Sequence, residues 1–207
     1  MIPTKAFLFD FDGVLADTEP LHWKAWHEVL APYSPDLDWE TYLRLCVGTS
    51  DVQMLNFFSE ITRTPVTVDE LQALYPKKRK IFEALAEAQP IVDADLVRLL
   101  AGLNGLRLGV VTSSNQLEVE PILRRAGLLE ILGTVIYGND VTHHKPHPEP
   151  YRTALGRLGV EPSEATVFED SASGIRSASE AGCHVVTVKT PADLPGLVAS
   201  EFARDQA

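Results

Sequence analysis

KAFLFDFDGVLAD, residues 5–17, has an apolar centre at Phe7, Leu8 and Phe9 and then two carboxylates, Asp10 and Asp12. The apolar run has the make-up of a buried strand. In an extended chain, residues two apart point the same way, with their Cα atoms roughly 7 Å apart. Two like charges would therefore stand side by side where a buried strand ends. One reading is a plain turn, since Asp-Gly between apolar residues tolerates the positive φ angles of a type I′ hairpin. The other reading makes the pair chemically useful. The rest of the chain has to choose.

Beyond about residue 90 the pattern is regular. LRLGVV (106–111), GTVIY (133–137), ATVFE (165–169) and HVVTV (184–188) are short, β-branched-rich runs of strand length. Helical stretches are predicted between them, over Asp93–Leu103, Leu117–Ala126, Pro150–Leu158 and Ala172–Ala181. Gly105, Gly127, Gly159 and Gly182 then supply the residue that commonly ends a helix. Alternating helices and apolar strands predict a parallel sheet covered on both faces. Residues 16–88 break the rhythm. They carry only amphipathic helical pieces, LHWKAWHEVL, DWETYLRLC, DVQMLNFFSEI and TVDELQALYPKKRKIFEALAEA. Thr67 and Glu70 suit a capping box for the last of these, and Pro76 should kink or interrupt it. The expected fold is α/β: a Rossmann-like parallel-sheet core of residues 1–15 and 89–207, with an inserted α-helical cap domain of residues 16–88.

Composition narrows the partners. Of 207 residues, 45% are hydrophobic and 23% charged, which allows a sizeable core and a soluble surface. Lys and Arg number 18 against 29 Asp and Glu, a net charge of −11. That field repels nucleic acid and anionic lipid, so neither is expected as a partner. An anionic small substrate would be repelled too, unless local positive charge or a metal receives it. Cys46 and Cys183 offer no disulfide framework and no zinc spacing. The N-terminal apolar run, cut short by Asp10, is neither a signal peptide nor a membrane span. A soluble, cytoplasmic protein is expected, with nothing demanding more than a monomer.

In open α/β sheets ligands bind beyond the carboxyl ends of the strands. Every chemistry-bearing cluster falls there: Asp10 and Asp12 after the first strand, Thr112, Ser113, Ser114 and Asn115 after the second, Lys145 after the third, Glu169 and Asp170 at the end of the fourth. Four carboxylates crowded into one cleft repel unless a cation neutralises them. Mg2+ suits carboxylates, water and a phosphate oxygen. Lys145 adds compact positive charge, and Thr112, Ser113 and nearby amides can donate to phosphate oxygens. Metal, lysine, hydroxyl and carboxylate together describe phosphoryl transfer. Each element also has a plainer reading. Thr112 could cap a helix, Lys145 could be a surface charge, and Asp170 or Ser171 could cap the helix starting near Ala172. The three histidines of HHKPHP (143–148) could bind a metal or simply be exposed.

DFDGVLADTEPLH, VVTSSN, KPHPEPY and FEDSASGIRSASEAG, in that order, resemble the haloacid dehalogenase superfamily of aspartate-nucleophile hydrolases. The likeness is greatest to its β-phosphoglucomutase-like phosphatases with a helical cap. The resemblance implies that Asp10 is the nucleophile, forming an aspartyl-phosphate, and Asp12 the general acid and base. It implies that Thr112, Ser113 and Lys145 hold the phosphoryl group. Magnesium would lie between Asp10, the Asp12 carbonyl and Asp170, with Glu169 beside it. Dehalogenases of the superfamily lack the second aspartate, so Asp12 argues for phosphate chemistry.

The resemblance also marks His22, Gly48, Thr49, Lys78 and Asn115 as substrate or cap positions. The mutases carry an arginine shortly after the loop glycine that grips a second phosphate, where this chain has Asp51. The expected activity is therefore a magnesium-dependent phosphatase acting on a small phosphorylated metabolite such as a sugar phosphate. A phosphosugar mutase is the alternative. A receiver-like phosphoacceptor domain is the alternative from another class, but it needs no helical insert. A sugar transferase would want a glycine-rich or basic diphosphate cradle, which the chain lacks.

Overall fold

The computed structural model describes residues 3–47, 49 and 51–204. In chain order, β1 (Ala6–Phe9) is followed by α1 (Glu19–Leu30), α2 (Trp39–Leu45), α3 (Asp51–Ile61), α4 (Val68–Gln72) and α5 (Tyr75–Glu87). Then come α6 (Ala94–Ala101), β2 (Arg107–Val111), α7 (Gln116–Arg125), β3 (Thr134–Ile136) and α8 (Glu149–Leu158). β4 (Ala165–Glu169), α9 (Ala172–Ala181), β5 (His184–Thr187) and α10 (Leu194–Arg204) complete the series. The chain divides into two compact units, Met1–Asp17 with Pro90–Ala207, and Thr18–Gln89.

The first unit is built on a five-stranded sheet of order β3-β2-β1-β4-β5, parallel at every pairing. β1 lies at its centre, and all four of its residues are buried. Parallel strands covered on both faces need continuous apolar runs, which is why the strands here do not alternate apolar and polar. One face of β1 presents Phe7 and Phe9. Phe168 of β4 stacks on Phe9 at 5.0 Å between ring centroids and meets Phe7 edge-on at 5.2 Å. The other face presents Ala6 and Leu8, packed with Val111, Ile136, Val167 and with Tyr151, Ala154, Leu155 and Ala178 of α8 and α9. Right-handed crossovers place α6 and α7 on the opposite face from α8 and α9, because the chain steps outward from β1 in one direction and from β4 in the other. The sheet therefore has its switch point at β1, where α/β proteins open a crevice.

The helical unit is held by apolar packing. Trp26, 2% exposed, touches Phe58 and Tyr75, each at 5.1 Å between ring centroids. Leu30, Leu37, Tyr42, Leu55 and Leu71 share that core. Asp38 caps α2 by accepting from the Thr41 amide at 2.7 Å. Thr67 and Glu70 form the capping box of α4. The long helix suggested by 67–88 is interrupted between Gln72 and Tyr75, and Pro76 occupies the first turn of α5. There its missing N–H costs nothing. Among the described residues, no helix is long and apolar enough to cross a membrane.

Candidate active site

The carboxyl edge of the sheet extends its ladder by one residue before the loops begin. The Asp10 amide bonds the Phe168 carbonyl at 3.0 Å, the Thr112 amide bonds the Ile136 carbonyl at 2.9 Å, and the Glu169 carbonyl accepts from Val188 at 2.8 Å. Backbone bonds thus fix where these side chains start. Past Asp10 the chain turns at once. The amides of Leu15 and Ala16 both bond the Phe11 carbonyl at 3.0 Å, and the Gly13 amide bonds the Ala16 carbonyl at 2.8 Å. Gly13 has φ +79°, and a Cβ there would sit 2.3 Å from Asp170 Oδ2. Backbone conformation and the approaching carboxylate each require glycine. Asp-Gly does make a turn, but the next strand of the sheet is parallel, so it is no hairpin.

Lys145 crosses this edge from the loop before α8. Its ammonium donates to Asp10 Oδ1 at 2.5 Å, Glu169 Oε1 at 2.6 Å and the Val111 carbonyl at 2.9 Å, using all three protons. The same group lies 5.2 Å from the centroid of the Tyr151 ring. Glu169 is wholly buried, and both its oxygens are satisfied. Oε1 also accepts from the Tyr151 hydroxyl at 2.9 Å, while Oε2 accepts from the amides of Asp170 and Ser171 and from the Ser171 hydroxyl, at 3.0–3.1 Å. A Cβ on Gly174 would fall 1.7 Å from Glu169 Oε1, so the first turn of α9 carries a glycine because a carboxylate packs on its backbone.

Charge is unbalanced here. Burial raises the pKa of Asp10 well above the usual carboxylate range, Lys145 opposes it, and Glu169 and Asp12 raise it further. Burial lowers that of Lys145, but Asp10 and Glu169 together outweigh it and push it up to about 12. Asp170 is pushed up to about 6 by burial and by Glu169. Asp10, Glu169 and Asp170 each offer an oxygen within 4.8 Å of the others. A hard dication fits such an edge: its donors are carboxylate oxygens, and the anionic forms of Asp10 and Asp170 are disfavoured until a second positive charge joins Lys145.

Asp12 is held differently. Its Oδ2 accepts from the Ser114 hydroxyl at 2.7 Å and, more weakly, from the Thr112 hydroxyl at 3.4 Å. The Thr112 hydroxyl in turn accepts from the Ser114 amide at 3.0 Å. Thr112 therefore caps no helix. Asn115 is the N-cap of α7, its Oδ1 accepting from the Leu117 amide at 2.9 Å. Ser113 is exposed, and its carbonyl packs so close to Gly138 that a Cβ there would come within 2.2 Å. Ser171 caps α9 by accepting from the Gly174 amide at 3.0 Å. Ser114, placed by sequence in the cluster after the second strand but given no role, and Tyr151, not placed in any such cluster, both join this site. Ser114 lies in the TSSN loop and Tyr151 closes KPHPEPY, so position within those motifs was the available signal.

In the helical unit, Lys78 is buried with its ammonium 2.7 Å from His22 Nδ1 and 5.0 Å from the Phe82 ring centroid. His22 stacks on Phe82 at 4.3 Å. Thr49 is exposed, and its hydroxyl donates to the Cys46 carbonyl at 2.7 Å. Gly48 and the side chain of Asp51 lie outside the described residues.

Comparison with known proteins places the chain. The family model described as haloacid dehalogenase-like hydrolase matches residues 7–188. A phosphorylated carbohydrates phosphatase of Thermotoga maritima is 31% identical over 179 residues, covering 86% of this chain and 82% of the relative. A fructose-1-phosphate phosphatase of Escherichia coli is 31% identical over 184 residues, covering 88% and 95%. A crystal structure of CbbY from Rhodobacter sphaeroides in complex with xylulose-(1,5)bisphosphate superposes with a TM-score of 0.76 at 32% identity, covering 89% of this chain and 85% of that one.

Proposed function

This chain belongs to the haloacid dehalogenase-like hydrolases and is a phosphatase of that family, and we propose that it hydrolyses a small phosphorylated carbohydrate through an aspartyl-phosphate on Asp10. The observation that carries this reading is the unequal treatment of two neighbouring carboxyls. Asp10 is buried on the Lys145 ammonium, whereas Asp12 takes its bond from the Ser114 hydroxyl. One stands against a fixed ammonium in the place of a nucleophile, the other as a group that can pass a proton. A carboxylate oxygen of Asp10 attacks phosphorus as the bond to the sugar oxygen breaks, and Asp12 gives that oxygen its proton. Asp12 then takes a proton from the water that attacks the phosphoryl group, and inorganic phosphate leaves with Asp10 regenerated. Thr112, Ser113 and Lys145 receive the phosphoryl oxygens.

Magnesium, held by Asp10, Asp170 and the Asp12 carbonyl with Glu169 beside it, would supply positive charge to the phosphoryl group and keep Asp10 ionised. His22 and Lys78 are assigned to selection of the carbohydrate part. Asp51, standing where phosphosugar mutases carry a phosphate-gripping arginine, favours hydrolysis over phosphoryl shuttling. The test is phosphate release from p-nitrophenyl phosphate and a panel of sugar phosphates, with and without magnesium. Wild type should turn over only with the metal, and Asp10→Asn should lose activity by about four orders of magnitude or more. Full turnover by Asp10→Asn, or stable phosphorylation without release, would overturn the reading. Efficient interconversion of β-glucose 1-phosphate and glucose 6-phosphate would replace it with a mutase.

A further inference from the structure

The loop that delivers Lys145 inward carries histidines that point outward. Side chains of His143 and His147 are 63% and 49% exposed, against 4% for Lys145 between them. The fold gathers a ring nitrogen from each of these two histidines and a carboxylate oxygen of Glu149 within 4.8 Å of one another. His143 Nδ1 is 2.7 Å from Glu149 Oε2, and His147 Nδ1 is 4.0 Å from the same oxygen. The third histidine of the run, His144, is exposed and outside the cluster.

The backbone beneath the cluster is already fixed. Glu149 accepts from the amides of Thr142 and His143 at 2.8 and 3.0 Å, which anchors its carboxylate at the start of α8 and, with the His143 ring, holds its pKa below the usual range. His147 lies between two prolines, and its carbonyl accepts from the Ser177 hydroxyl at 2.6 Å. The Glu149 amide bonds His147 Nδ1 at 3.2 Å, so that nitrogen already acts as an acceptor. Two imidazoles and one carboxylate are the donor set of borderline ions, whereas magnesium prefers oxygen alone. With zinc–ligand bonds of about 2.0–2.2 Å, tetrahedral donors lie roughly 3.3–3.6 Å apart, so the His143–Glu149 pair would open while His147 closes on Glu149, movements open to exposed rings.

We propose that His143, His147 and Glu149 form a site for a divalent transition ion of the zinc class, separate from the carboxylate centre. The ion takes the place of the hydrogen bond between His143 Nδ1 and Glu149 Oε2, and any proton it displaces goes to solvent. Occupied, it ties the two ends of the loop that positions Lys145.

The test is titration of the full chain with zinc against a chromophoric chelator, with millimolar magnesium present to fill the carboxylate centre. Wild type should compete for one equivalent. His143→Ala and His147→Ala should each weaken binding by about tenfold or more, while His144→Ala should match wild type. Zinc-free melting curves confirm that each variant is folded, as exposed positions allow. Unchanged affinity in the His147→Ala variant, or an equal loss in His144→Ala, overturns the site.

Discussion

The sheet unit and the helical unit are both well packed, but each buries side chains held by different forces. At the carboxyl edge of the sheet, Asp10, Lys145 and Glu169 are fixed by charge-assisted bonds of 2.5–2.6 Å. In the helical unit, Trp26 is fixed by contact with Phe58 and Tyr75. Burying ions is costly unless each meets its counter-charge, whereas burying an aromatic ring is favourable wherever the ring fits. The first arrangement is worth keeping only for its chemistry. The second would be kept in any stable domain.

Substituting one anchor in each unit should expose that contrast, and gives the largest effects. Lys145→Met strands Asp10 and Glu169 without their cation. It should cost about 3–5 kcal/mol near neutral pH and reduce turnover by about a hundredfold or more. Trp26→Ala removes a large ring from a filled core and should cost a similar 3–5 kcal/mol or so. The two losses should part company with pH. As pH falls the stranded Asp10 takes up a proton and the cost of Lys145→Met shrinks, while that of Trp26→Ala stays. Urea unfolding at pH 5 and 7.5 decides it, and equal pH dependence in the two variants would erase the distinction.

A smaller effect should appear without any substitution. Asp170 titrates near 6 in the folded protein and at about 3.9 when unfolded, and Asp10 is raised in the same direction. Between those values the folded state binds more protons, so metal-free stability falls as pH rises through about 4 to 6. Magnesium favours the anionic forms and should reverse the trend. The rise in Tm on adding magnesium should therefore be larger at pH 7.5 than at pH 5. A magnesium shift independent of pH would mean that these carboxyls do not hold the ion.

The same contrast explains what could be read from sequence. Strands were legible because a sheet covered on both faces needs unbroken apolar runs, and ATVFE and LRLGVV have them. The edge was legible because strand ends are where parallel sheets put their loops, so Asp10, Thr112, Lys145 and Glu169 could be placed from order alone. Partnerships were not. Thr112 and Asn115 are three residues apart at a strand-to-helix turn, and either has the chemistry of a cap. Only the backbone geometry gives the cap to Asn115 and leaves Thr112 to Ser114 and Asp12. Tyr151 lies in the helix expected over Pro150–Leu158, and the sequence assigns it no role. That its hydroxyl reaches Glu169 follows from the seating of α8 on β2 and β3, which no local pattern encodes.

Two helix caps give the smallest and most discriminating comparison. Thr67 caps α4 in the helical unit, and among the described residues its hydroxyl bonds only within its own capping box. Thr67→Ala should lower stability by about 1 kcal/mol, through the exposed amides of one helix end. Ser171 caps α9, but its hydroxyl also donates to Glu169 Oε2. Ser171→Ala loses the same kind of cap and additionally removes a donor from a buried carboxylate that shares Lys145 with Asp10. Its stability loss should be of the same order, yet its effect should reach the chemistry. Magnesium dependence and kcat should shift in Ser171→Ala and stay within about twofold of wild type in Thr67→Ala. Unfolding curves alone would not separate the two caps, so metal titrations of activity are the measurement that matters. If both variants changed only stability, Glu169 would be held well enough without Ser171, and the reach of the cap into the site would be refuted.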